Sequence, residues 1–287
     1  MITTIDTKDP RAVEELVAGK YKAMFPRGRI GHLARLFADT TRLFTGGHPD
    51  FLENNLKYHD YEHTLQATVC MTYLLEGRHA AAVLPRLTAR QFVLAISSAL
   101  LHDCGYLKIN SDTKGTGAKY TFVHVLRSCA YAASYLPRIG ANEFEIEGVL
   151  AAISCTGPTS NIAELSFHNP IERTIGCVLS TSDYLGQMAA VDYADELEFL
   201  FAEFDESYDF FHTPKEKRPF ESAEDLQRRT PLFWRNIVLP KLENEYQAVY
   251  RFLARPGPHG TNLYLESVER NIAKIKRRLR STSAKKL

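Results

Sequence analysis

Three short stretches hold residues whose types and spacing could do chemistry. In Tyr58-His59-Asp60-Tyr61-Glu62-His63, two histidines stand four positions apart. On a helix this puts both imidazoles on one face, about one turn from each other, where they could share a metal ion or divide binding from proton transfer. The same pair also fits an ordinary solvated helix face. His102-Asp103 closes the apolar run from Phe92 to Leu101 and is followed by Cys104-Gly105. A carboxylate buried there is costly unless it is paired or bound to a cation. A metal meets that need, and a capping Asp beside a core histidine is the other reading. Imidazole nitrogen with carboxylate oxygen suits Zn, Mn, Mg or Fe, so the ligand set names a class of ion, one or two per chain. Asp183 lies inside the mostly apolar stretch from Val178 to Met188, where an acid has poor helix propensity. Either a helix N-cap role or chemistry keeps it there.

Helices must position these residues. Apolar residues return at three and four positions almost everywhere, and alternating runs bounded by turn residues are hard to find. The fold class expected is all-α, a compact helical bundle. Its helices are predicted over 11–24, 29–44, 54–77, 88–106, 118–136, 142–155, 169–188, 191–204, 222–254 and 261–280. Gly46-Gly47-His48-Pro49, Gly115-Thr116-Gly117, Gly157-Pro158 and Pro256-Gly257-Pro258 break the pattern between them. No flexible linker and no repeat of 20 to 50 residues is visible. Residues 1–48 read as a helical extension, 49–255 as the central domain, and 256–287 as a final helix with a basic tail. Residues 192–225 hold twelve acids against three bases and many aromatics, which fits either a flap near a site or a solvated helix and loop. Residues 270–287 hold eight Lys or Arg and no acid, the pattern of a basic helix end.

Composition narrows the function classes. The 287 residues are 45% hydrophobic and 24% charged with a net charge of +1, which removes the electrostatic case for a dedicated nucleic-acid binder. No window approaches the roughly 18 consecutive apolar residues of a spanning helix, so membrane insertion is not expected. The N-terminal segment has early acids and no basic-then-apolar order, so a cytoplasmic chain without a targeting signal is expected. Cys70, Cys104, Cys129, Cys155 and Cys177 are odd in number and widely spaced, which predicts free thiols.

The order of these motifs resembles HD-domain metal-dependent phosphohydrolases, and within them most resembles the catalytic domain of 3′,5′-cyclic nucleotide phosphodiesterases. The likeness covers roughly residues 50 to 250. Their Tyr-His-Asn-x-x-His motif is matched by Tyr58-His59-Asp60-Tyr61-Glu62-His63 except at Asp60. The resemblance implies that His63, His102, Asp103 and Asp183 bind the primary metal, with Asp103 bridging to a second. It makes His59 the general acid and Thr156 a group that helps hold water at the second metal. The family's His-Asp-x-x-His reads His102-Asp103-Cys104-Gly105-Tyr106, so Tyr106 replaces its last histidine. Gly105 instead resembles the His-Asp-x-Gly-Lys form of cyclic dinucleotide phosphodiesterases. In those enzymes a histidine on the next helix binds the second metal, and His124 stands there.

Thr230-Pro231-Leu232-Phe233-Trp234 is similar to the family's base-binding helix, with Phe233 at the clamp position and Thr230 at that of the purine-reading Gln. Gly186 takes the place of the family's Asn. Phe233 and Trp234 are candidates for stacking on a base. The expected activity is hydrolysis of a cyclic nucleotide or related nucleotide phosphoester by a metal-activated water, with a small-molecule partner and no nucleic acid. A nucleoside phosphate phosphohydrolase and a non-catalytic nucleotide sensor are the alternatives, and an oligomer is left open.

Overall fold

The computed structural model describes residues 5–157, 160–254 and 260–285, with backbone alone for 282–285. Among the described residues ten α-helices span Pro10–Met24 (α1), Leu33–Phe44 (α2), Tyr61–Ala80 (α3), Ala89–Leu101 (α4), His124–Tyr135 (α5), Glu143–Ser154 (α6), Pro170–Met188 (α7), Tyr193–Phe210 (α8), Ala223–Phe233 (α9) and Leu263–Lys285 (α10). Among the described residues β-pairing is confined to the isolated bridges Phe51 with Ile109 and Ala254 with Asn262. The chain is all-α, as expected. No described helix is long and apolar enough to cross a membrane. All five cysteines are free.

The boundaries that differ from expectation matter for the site. The helix predicted from 54 begins only at Tyr61, because the Asp60 side chain accepts from the His63 N–H at 2.9 Å and caps it. His59 therefore precedes α3, and the expected shared helix face for His59 and His63 is not formed. The helix predicted over 88–106 ends at Leu101, and Cys104–Tyr106 forms a 3₁₀ turn. The one predicted from 118 starts at His124, after a 3₁₀ turn at Gly117–Tyr120. The long helix predicted over 222–254 stops being regular at Phe233. Wide π turns follow at Trp234–Val238 and Lys241–Glu245, on either side of Pro240, which lacks the N–H that a regular ladder needs there. The breaks expected at Pro158 and at 256–258, and the tip of the basic tail, lie outside the described residues.

α3 is the central element and is buried on nearly every side, from Thr64 and Leu65 through Thr72 and Leu75. One hydrophobic core gathers Val13 and Val17 of α1, Leu36 of α2, Leu74 of α3, Ile96 of α4, Val178 of α7 and Ile272 of α10. The first two helices and the last thus share the core of the central segment. α7 presses onto α3 at Gly186, where a Cβ would lie 3.0 Å from the Ala67 nitrogen. Any larger residue would push α7 and its Asp183 away from α3. Gly186 thus serves helix contact, and a side chain there would meet α3.

A second close approach joins the end of α4 to the start of α5. The Gly105 N–H donates to Ser128 Oγ at 2.8 Å, and a Cβ on Gly105 would lie 1.9 Å from the His124 carbonyl oxygen. Gly105→Ala should therefore cost about 3 kcal/mol, the upper end for overpacking. In a chain of this size that lowers Tm by about 5 °C. A thermal melt checks it, and an unchanged Tm would show that α4 and α5 do not approach this closely.

Candidate functional site

Three helices deliver the four expected ligands to one point. His63 lies in the first turn of α3 and Asp183 in the last turns of α7. His102 and Asp103 end the apolar α4, whose burial carries them inward. His63 Nε2 stands 3.1 Å from Asp103 Oδ2 and 3.2 Å from Asp183 Oδ1. His102 Nε2 is 3.4 Å and 3.6 Å from the same two oxygens. The bland readings of these residues fail on geometry. His63 is buried rather than solvated, the Asp103 side chain caps no turn, and Asn169 rather than Asp183 caps α7.

The donor chemistry suits a divalent cation. His102 Nδ1 lies 2.7 Å from the Ala99 carbonyl, which can only accept, so Nδ1 carries the proton and Nε2 presents a lone pair. Asp103 Oδ2 and His102 Nε2 are buried without a hydrogen-bond partner. Ligands held about 2.1 Å from one ion lie about 3.0 to 3.5 Å apart, and the four imidazole–carboxylate distances here run from 3.1 to 3.6 Å. His63, His102, Asp103 and Asp183 could therefore hold such an ion. The charges point the same way. Burial alone would raise the Asp103 carboxyl, but the His102 and His63 imidazoles hold it well below the usual carboxylate range. Burial likewise opposes charge on His63, yet the Asp103 and Asp183 carboxylates beside it push its pKa well up.

His124 flanks this cluster. Its Nδ1 donates to the Thr121 carbonyl at 2.6 Å, which leaves Nε2 facing Asp103 Oδ1 at 3.6 Å. Burial is the main cause that lowers its pKa, so a neutral imidazole acceptor faces a carboxylate acceptor. The two could share a second cation. Tyr106 takes up the space beside them. Its buried ring is sandwiched between His59, 4.6 Å away at 18°, and His124, 4.4 Å away at 15°.

Above the cluster opens a chamber of about 310 Å³, lined by Tyr58, His59, Asp103, His124, Thr156, Asp183, Thr230 and Phe233 among others. His63, His102, Gly186 and Trp234 do not line this space, whereas the other candidate site residues do. Thr156 and Thr230 spend their hydroxyl protons on the Ile153 and Leu226 carbonyls, at 2.8 Å and 2.9 Å. Phe233 is 40% exposed and lies 6.1 Å from the Tyr184 ring. Trp234 is a correction: it is buried, and its Nε1 donates to Glu269 Oε1 at 2.6 Å, so it packs on α10 and cannot stack on a ligand.

Sequence reasoning missed Glu203. Its Oε2 lies 2.6 Å from His59 Nδ1, and its Oε1 accepts from the Tyr58 and Lys57 N–H groups at 2.8 Å and 3.2 Å. One carboxylate thus fixes both the loop before α3 and the ring of His59. A signal existed: Glu203 falls on the stripe of α8 that holds Tyr193, Leu197 and Ser207, all buried, so it is an acid on an inward face. The surrounding run of surface acids hid it. The segment 192–225 is accordingly a helix and loop whose inner side walls the chamber, through Leu197, Leu200, Phe204 and Phe220. Asp195 on its outer side pairs with Lys274 of the basic α10 at 2.7 Å.

No curated protein matches this chain. Residues 50–253, which contain every candidate site residue from Tyr58 to Phe233, match the Npun_R2479-like family, and the chain belongs to that family.

Proposed function

We propose that the protein is a metal-dependent phosphohydrolase that cleaves a phosphoester, with a nucleotide ester as the first candidate. The observation that carries this is the convergence of His63, His102, Asp103 and Asp183 ligand atoms, 3.1 to 3.6 Å apart, beneath a chamber that His59 also lines. His63, His102, Asp103 and Asp183 would hold a divalent ion, which when bound would supply Lewis acidity toward water and the phosphoryl oxygens. The chain's own groups do the rest. Glu203 accepts from His59 Nδ1–H and so aims Nε2 into the chamber as a proton donor. The water oxygen bonds to phosphorus, the ester P–O bond breaks, and the His59 proton passes to the leaving oxygen. The proton that the water loses returns to His59 through solvent. Free thiols at all five cysteines fit a reducing compartment, the cytoplasm.

The test is hydrolysis of cyclic AMP, cyclic GMP, a cyclic dinucleotide, AMP, dAMP and a chromogenic phosphodiester with Mn, Mg or Zn, using Asp103→Asn as the blank. Turnover of any of these by the wild type alone supports the reading. Cleavage of monoesters alone makes it a nucleotidase. Tight nucleotide binding without turnover under every ion makes it a sensor and overturns the enzymatic reading.

A further inference from the structure

The turn that carries Asp103 borders two spaces. Asp103 and Tyr106 line the chamber, whereas Cys104 and Gly105 line a separate cleft of about 310 Å³ that shares no lining residue with it. One side of the cleft is aromatic. Phe51 meets Tyr131 edge to face, with ring centres 5.6 Å apart at 82°, and His48 meets Phe51 at 5.2 Å and 68°. The other side is basic, with Arg127 of α5 and Arg138 three residues beyond that helix. These two cations lack counter-charges. Arg127 is half-buried, and its Nε and one Nη donate to the Gly105 and Leu107 carbonyls at 2.6 Å and 2.7 Å. Its face rests 3.6 Å from the centre of the Tyr120 ring, and its other Nη has no protein acceptor. Arg138 is exposed and makes no hydrogen bond or ion pair among the described residues. A guanidinium taken half out of water is ordinarily matched by a carboxylate, and here neither arginine has one.

We infer that this cleft is a second ligand site, for an aromatic ring that bears one phosphate or carboxylate group. The acid group supplies the missing counter-charge to Arg138 and to the unspent Nη of Arg127, and guanidinium is the cation best shaped for either anion. The ring packs on Phe51 and Tyr131, where aromatic pairs gain more than the area they bury. His48 Nδ1 accepts the Asp50 N–H at 3.1 Å, which leaves its proton on Nε2 as a further donor on the lining. Asp50, the acid on this lining, is exposed, pairs with neither arginine and opposes a second negative group. A bare anion would leave the aromatic side wet, and a neutral ring would leave both cations unmatched. The volume is at the small end of known ligand sites and fits a single ring system.

Isothermal titration of phenylphosphonate and benzoate into wild-type and Asp103→Asn protein tests this, with inorganic phosphate and benzyl alcohol as comparisons. One site for at least one of the two aryl acids should persist in Asp103→Asn, since the cleft and the chamber share no lining residue, and the tighter acid identifies the anionic group. Arg138→Gln should weaken that binding by about 10- to 100-fold, the worth of a hydrogen bond between charged groups. Arg138 has no protein partner to lose, so this variant should melt as the wild type does. Tyr131→Leu keeps the apolar bulk without the ring and should cost about 2- to 10-fold. Binding that vanishes in Asp103→Asn belongs to the chamber and overturns the inference. So does aryl-acid binding that Arg138→Gln leaves unchanged, or no binding of either acid at millimolar concentration. Benzyl alcohol binding as tightly as the aryl acids removes the anion from the recognition, and inorganic phosphate binding as tightly removes the ring. Either result overturns the proposed class.

Discussion

Asp103→Asn protein should retain no divalent metal above background and show no hydrolysis, while folding as the wild type does. Asp103 faces both sides of the cluster, with Oδ2 toward His63 and His102 and Oδ1 toward His124. The amide keeps the shape but loses the charge that offsets a cation's desolvation, and its nitrogen is no ligand. Losses at groups that only support a ligand run to about 10- to 100-fold in affinity or activity, and a first ligand should exceed that. The same substitution separates metal loss from misfolding. Wild-type protein at 100 times its metal Kd should gain about 2.7 kcal/mol, which at this size raises Tm by about 4 to 5 °C. The variant should gain nothing from the ion. An equal rise in Tm for both proteins, with equal metal content by elemental analysis, would remove the cluster as the metal site.

The readable part of this protein was its repetition and its costly residues. Helical periodicity gave the all-α class and ten segments near the observed ones, because apolar stripes are set by burial and burial is what the sequence records. His102, Asp103 and Asp183 stood out because an acid in apolar surroundings is expensive, and the fold does bring them together with His63. The errors came where a single polar side chain outweighed the pattern. Asp60 accepts one N–H and starts α3 seven residues later than periodicity suggested, which moved His59 off the helix. Trp234 looked free to stack until Glu269, 35 residues away in the chain, took its N–H. Glu203 was invisible for the same reason in reverse: its partners, Lys57, Tyr58 and His59, are about 145 residues distant. Spacing cannot report a contact that only the assembled bundle creates. Gly186 is a further case, since its close approach to the α3 backbone cannot be read from spacing.

His59→Ala should lower turnover by roughly 10²- to 10⁴-fold, the usual worth of a positioned acid, and leave the metal content unchanged. His59 Nδ1 faces Glu203 rather than the cluster, and its ring lies on Tyr106, so its removal does not take a ligand from the ion. Glu203→Gln is the finer probe. If the new amide keeps its oxygen toward the Tyr58 and Lys57 N–H groups, its NH₂ faces His59 Nδ1, and a nitrogen meeting a donor can no longer carry the proton there. The imidazolium loses its partner and the neutral ring takes the other tautomer, so turnover should fall by about 10- to 100-fold. Because both changes act on one proton, the double variant should be no slower than His59→Ala alone, a departure from additivity that marks a coupled pair. The leaving group supplies the decisive control. An alkoxide needs a proton as it departs, whereas p-nitrophenolate leaves without one, so both variants should lose far less on a p-nitrophenyl ester than on an alkyl ester. Equal losses on the two esters would take the general-acid role from His59, and loss of metal in His59→Ala would place it among the ligands instead.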